Sequence, residues 1–139
     1  MQRLAVGATV TENTGAGSTT ITRLTRHCVR FTTTGRFDHP AGEFALAHTR
    51  AILEEIGDGF VGFYDWSQVT GYSSGGRADA TQHLLDLRKR FKGAVFLTSS
   101  TIVSMGVNVA NMALGGFLYG TTNRIDFEAR LATAVAADT

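Results

Sequence analysis

Cysteine is nearly absent: Cys28 stands alone in 139 residues, which excludes an intramolecular disulfide and a zinc site built from several thiolates. Proline occurs once, at Pro40, and neither a linker nor an internal repeat divides the chain. Neither sign of charge dominates, since 13 Lys+Arg against 12 Asp+Glu leave a formal net charge of +1, so no polyanionic partner such as a nucleic acid is expected. Long apolar runs and a signal-peptide pattern are missing too, which predicts a soluble, cytoplasmic protein without membrane insertion. G-x-x-x-x-G-K-[ST], G-x-S-x-G and H-E-x-x-H do not occur, and His27, His39, His48 and His83 lack ligand spacing, so no catalytic constellation, metal or cofactor is expected. What is present is an ordinary globular composition, 43% hydrophobic and 18% charged, at a length that buries about two-thirds of the unfolded surface.

Residues 1–25 are rich in Thr around the Gly15-Ala16-Gly17 turn and read as a hairpin or loosely held edge, with residues 26–139 as the main domain. Val29–Phe37 alternates as a strand, with Val29, Phe31 and Thr33 on one face and Cys28 buried beside it. Asp38 before Pro40 starts a first helix that runs to Ile56 and stops at Gly57-Asp58-Gly59. Phe60–Tyr64, almost wholly apolar, reads as a central strand ending in Asp65-Trp66-Ser67. A glycine-containing loop with Tyr72, Ser73 and Ser74 leads to a helix over 77–92, carrying Ala80, Leu84, Leu87 and Phe91 on its apolar face, with Arg88, Lys89, Arg90 and Lys92 suited to its C-terminal dipole. Gly93 closes it before a strand over 94–97. A third helical pattern runs through about Leu118, a short strand follows near 119–121, and Asn123 with Asp126 caps a last helix carrying Phe127, Leu131, Ala134 and Val135. Such alternation predicts an α/β fold, a mixed, largely parallel sheet of four to five strands with about four helices packed on it.

The third helix is apolar on two sides. Beside the stripe Val103, Val107, Ala110, Leu114 and Phe117 runs a second one, Ile102, Met105, Val109 and Met112, which calls for another partner: core, a homodimer surface, or an apolar small molecule.

Gly57-Asp58-Gly59-Phe60-Val61-Gly62 matches G-x-G-x-x-G but precedes a strand, the wrong order for a dinucleotide site. Asp65 at a strand end is either a functional-loop carboxylate or an acceptor for backbone N–H groups of the Ser67–Thr70 turn. Thr98, Ser99, Ser100 and Thr101 stand at a helix start, as N-cap or as an anion site. Ser73 and Ser74 precede a helix, where they serve as a turn and cap or as phospho-acceptors. His39 reads as a turn residue and His83 as a helix-surface residue.

The strand Phe60-Val61-Gly62-Phe63-Tyr64-Asp65-Trp66-Ser67, then Val69-Thr70-Gly71-Tyr72-Ser73-Ser74-Gly75, then Leu84-Leu85-Asp86-Leu87-Arg88, make the chain from about Cys28 onward resemble the STAS superfamily, the anti-sigma-factor-antagonist-like domains. Within it, the chain looks most like bacterial proteins related to the CRAL-TRIO lipid-binding fold. The resemblance implies a non-enzymatic regulatory domain that binds a protein partner, with Asp65, Ser67, Tyr72, Ser73 and Ser74 at the partner loop. In antagonists of that superfamily a hydrophobic-Asp/Asn-x-Ser strand end is followed by Asp-Ser-Ser-Gly, whose first Ser is phosphorylated by a kinase. Laid on Ser-Ser-Gly, Ser73 takes the acceptor place and Tyr72 replaces the acid; without a gap, Ser73 replaces the acid and Ser74 becomes the acceptor.

Overall fold

The computed structural model describes residues 3–99 and 118–138. One six-stranded sheet holds β1 (Thr9–Asn13), β2 (Gly17–Arg23), β3 (Cys28–Phe37), β4 (Phe60–Tyr72), β5 (Phe91–Thr98) and β6 (Leu118–Thr121) in that spatial order. The pairs β1–β2 and β2–β3 are antiparallel, and β3–β4, β4–β5 and β5–β6 are parallel. Among the described residues three helices accompany them: α1 (His39–Ile56), α2 (Ser74–Leu87) and α3 (Arg124–Ala137). The predicted α/β class and mixed sheet hold, but with six strands rather than four to five and three described helices rather than about four. The added strands come from the Thr-rich start, where β2 pairs along β3 and buries Thr19, Ile21 and Arg23. The predicted third helix falls on residues outside the described ones, except Leu118, which opens β6.

Local signals explain the helix limits. Asp38 caps α1 by accepting from Ala41 N, proline follows in the first turn, and the Gly57 N–H closes the helix on Leu53 O at 2.8 Å. Asn123 caps α3 by accepting from Asp126 N, as expected. The second helix lies earlier than predicted. Ser73 starts it at Ser74, and it ends at Leu87 because Phe91 packs its ring 4.8 Å from Phe60 and belongs to β5. Gly93 therefore lies inside a strand. Arg90 serves a different helix from the one expected: it donates at 2.8 Å to Gly57 O and to Leu53 O, which also accepts the capping Gly57 N–H, at the end of α1.

The sheet has two covered faces. Under α1 and α2 lie Ile21, Val29, Phe31, Phe60, Tyr64, Trp66 and Phe96, packed with Ile52, Leu53, Leu84 and Leu87. Register partners Phe31, Tyr64 and Phe96 stack across three strands, at centroid separations of 4.6 and 4.5 Å. On the other face α3 lays Phe127 and Leu131 on Phe63 and Leu97.

Candidate functional site

The carboxyl ends of β3 and β4 lie side by side, so the helices that follow them start together. Ser73 N–H donates to Phe37 O at 3.0 Å, and Ser73 Oγ accepts from Gly76 N at 2.9 Å, which fixes the first turn of α2 against the start of α1. Gly76 permits this approach, because a Cβ there would lie 2.6 Å from Phe37 O. His39, at the start of α1, ties the two helices by pairing with Asp79 of α2 and with Glu43 at 2.7 Å. The hydrogen bond to Asp79 and the nearby carboxylates raise its pKa.

Beside this junction runs an open groove of about 620 Å³ lined by Tyr72, Ser74, Arg77, Ala78, Thr81 and Gln82. Ser74 is exposed, whereas Ser73 is half-buried and engaged as the cap. No acidic residue stands in the first turn of α2, and Arg77 is exposed three residues beyond Ser74. Free N–H groups and an arginine thus give the groove's rim a positive character.

Asp65 and Ser67 are not part of this junction. The strand predicted to end at Tyr64 continues to Tyr72, placing Asp65 mid-strand with only 5% of its surface exposed. A register shift opposite Thr33 marks a bulge at Trp66–Ser67, where Ser67 donates to Asp65 Oδ1 from its backbone N–H at 3.1 Å and its hydroxyl at 2.6 Å. Asp65 Oδ2 takes Arg30 at 3.0 Å and Arg124 of α3 at 3.2 Å, while Arg30 also holds Glu128 at 3.0 Å. Burial works to raise the Asp65 pKa, but the Ser67 bonds and Arg124 outweigh it and hold it below the usual carboxylate value. Asp65 is therefore a latch between the sheet and α3. The expected Ser67–Thr70 turn is absent because those residues are strand.

Thr98 is the buried last residue of β5, and Ser99 donates to Ser67 O at 2.6 Å, which secures the chain leaving the sheet. Ser100 and Thr101 of the expected anion site lie outside the described residues, as do Ile102, Met105, Val109 and Met112. His83, expected on the surface, is buried with its ring against Phe91, because Phe91 has moved from helix to strand and faces α2. A cavity of about 30 Å³ between the sheet and α1–α2 is lined by Phe31, Tyr64, Trp66 and His83, among others. That volume admits water-sized occupants, not a lipid chain.

No family model matches the chain, and no curated protein matches it. Solved structures do. An uncharacterised DUF3478-family protein from Shewanella loihica PV-4, described as having a SpoIIAA-like fold, superposes with a TM-score of 0.61 at 19% identity, over 94% of this chain and 98% of that one. The fold is SpoIIAA-like. The unphosphorylated anti-sigma factor antagonist SpoIIAA itself superposes with a TM-score of 0.58 at 11% identity, over 82% of this chain and 97% of that one. The STAS-like architecture expected from the sequence is thus the one the chain adopts. No helix among the described residues is long and apolar enough to cross a membrane.

Proposed function

We propose that the protein is a non-enzymatic regulatory module that binds a protein partner through the groove at the start of α2 and is controlled by phosphorylation of Ser74. The observation that carries this reading is the exposed Ser74 hydroxyl on the first turn of a helix, beside Arg77 and a groove open enough for a partner's side chains. A phosphate there adds about two negative charges at the positive end of the α2 dipole. Arg77, one turn on, can pair with it. The partner then meets an anion instead of a cationic rim, and a surface that fitted the one form repels or releases in the other.

Ser74 is favoured over Ser73 because the Ser73 hydroxyl already accepts from Gly76 N and holds the helix end. With Ser74 as the acceptor, Ser73 stands where antagonists of the anti-sigma kind carry an acid, and the Tyr72 ring adds an apolar contact to the groove. The SpoIIAA-like fold supports the reading, since one solved protein of that fold is described as an anti-sigma factor antagonist in its unphosphorylated form.

Phosphopeptide mapping of the protein isolated from its native cells tests the switch. The expected result is a single phosphate on Ser74 in part of the population and none in Ser74→Ala. Modification at Ser73 alone, or of neither serine across growth conditions, would contradict it.

A further inference from the structure

The end of the sheet opposite the Ser74 groove carries a second groove. It has a volume of about 500 Å³, within the range of small-molecule sites, and lies between the loop before β3, the first residues of β4 and β5, and the last two turns of α3. Its floor is Val61 beside Gly93, register partners on β4 and β5. A Cβ at Gly93 would meet nothing within 4 Å, so the missing side chain is itself part of the hollow.

The polar groups around this floor are placed by specific devices. A register shift between the Phe60–Phe91 and Val61–Gly93 pairs inserts Lys92 as an extra residue of β5, and Lys92 lines the groove. It forms no ion pair with any described carboxylate. Arg130 stands on the α3 wall, fixed by Asp126 at 3.0 Å and stacked 3.6 Å over Tyr119. His27 completes the ring. Asp138 accepts its backbone N–H at 2.9 Å, pairs with its Nδ1 at 2.7 Å and takes the Thr25 hydroxyl at 2.5 Å. Burial tends to raise the Asp138 pKa, and the bonds from Thr25 and His27 more than offset it, so the carboxylate is ionised and acts only as an acceptor. His27 Nδ1 therefore carries the hydrogen, and Nε2, beside Gly59, is the nitrogen left for a ligand.

The two acids near the groove are thus consumed, Asp138 by Thr25 and His27, Asp126 by Arg130, while the Lys92 ammonium pairs with no carboxylate among the described residues. Val61, Ala134 and Ala137 add an apolar lining. We infer that this groove binds a small organic anion, its carboxylate or phosphate held by Lys92 with Arg130 and His27 around it, and its short apolar body on Val61, Gly93 and Ala134. The site is separate from the Ser74 groove and stands or falls independently of the regulatory reading.

Phenyl phosphate is the probe, followed by backbone amide NMR of the full chain, with inorganic phosphate and benzyl alcohol as single-feature controls. The expected result is saturable binding with shifts at Gly59, Val61, Gly93 and Ala134, and much weaker binding of both controls. Lys92→Glu should weaken phenyl phosphate by about tenfold or more. Gly93→Leu, which fills open space and keeps the strand, should abolish it while leaving the amide spectrum folded. A non-saturating titration, shifts centred on Ser74 and Arg77, or equal affinity in both variants would overturn the inference. Inorganic phosphate bound as tightly as phenyl phosphate would overturn the apolar body, and benzyl alcohol bound as tightly would overturn the anion.

Discussion

His83 illustrates how one buried side chain sets a pH limit. Burial first, then the charge of Arg50, pushes its pKa down from the ordinary 6.5 to about 4, so the native state holds it neutral. Above pH 6.5 the folded and unfolded chains both carry neutral imidazole, and the full stability is present. As pH falls toward 4 the unfolded chain takes up a proton that the native state refuses, and roughly 3 kcal/mol drains away across that window. Urea midpoints measured from pH 7.5 to 4.5 should therefore fall in the native protein and flatten in His83→Leu; equal acid slopes would contradict the assignment. His39 works in the opposite sense. Its raised pKa means its contribution is complete below about 6.5 and is lost as pH rises through the folded value. The two serines should separate as cleanly: Ser73→Ala removes the α2 cap and should cost about 1 kcal/mol in chemical denaturation, while Ser74→Ala should leave stability unchanged.

Elements are joined here by polar latches as much as by apolar packing. Asp65 ties β4 to α3 through Arg124 and to β3 through Arg30, and its replacement by Ala leaves two arginines without their shared acceptor. Because Arg124 is half exposed, the expected loss is about 2 kcal/mol, short of what breaking a fully buried pair costs. Hydrogen exchange should show that loss as faster opening of α3, with α1 and α2 unaffected; uniform acceleration would point to general destabilisation. Gly76 couples the other pair of elements, and Gly76→Ala should separate the starts of α1 and α2, since its Cβ meets backbone that cannot yield. These joints explain what the sequence could reveal. The α1 limits were readable because Asp38, Pro40 and Gly57 are local signals, and the alternation in β3 was readable because one face is buried. The extension of β4 past Tyr64 was not, since Asp65, Ser67 and Gln68 look like a polar loop until Arg30 and Arg124 arrive from elsewhere in the chain. His83 was misplaced for the same reason: the residue that buries it, Phe91, sits at a helical spacing but belongs to the next strand.

At the scale of the molecule the parallel half of the sheet gives the protein two unlike ends. The carboxyl ends of β3 and β4 bring two helix starts together around Ser73, Ser74 and His39, and the amino ends of β4 and β5 frame the groove around Lys92 and Gly93. Sequence alone pointed to the first end, through Tyr72-Ser73-Ser74 and a family resemblance, but had no signal for the second. That groove depends on a bulge at Lys92 and on Asp138 reaching back to His27, pairings that no short motif records. Partner binding at the first end can be read by site-specific photocrosslinking in native cells. A crosslinker at Gln82, inside the Ser74 groove, should trap one discrete protein partner, a crosslinker at Thr133 on α3 should not, and Ser74→Asp should change the Gln82 yield several-fold. Crosslinking at Gln82 that is indifferent to Ser74→Asp, or a partner trapped equally from Thr133, would contradict the account.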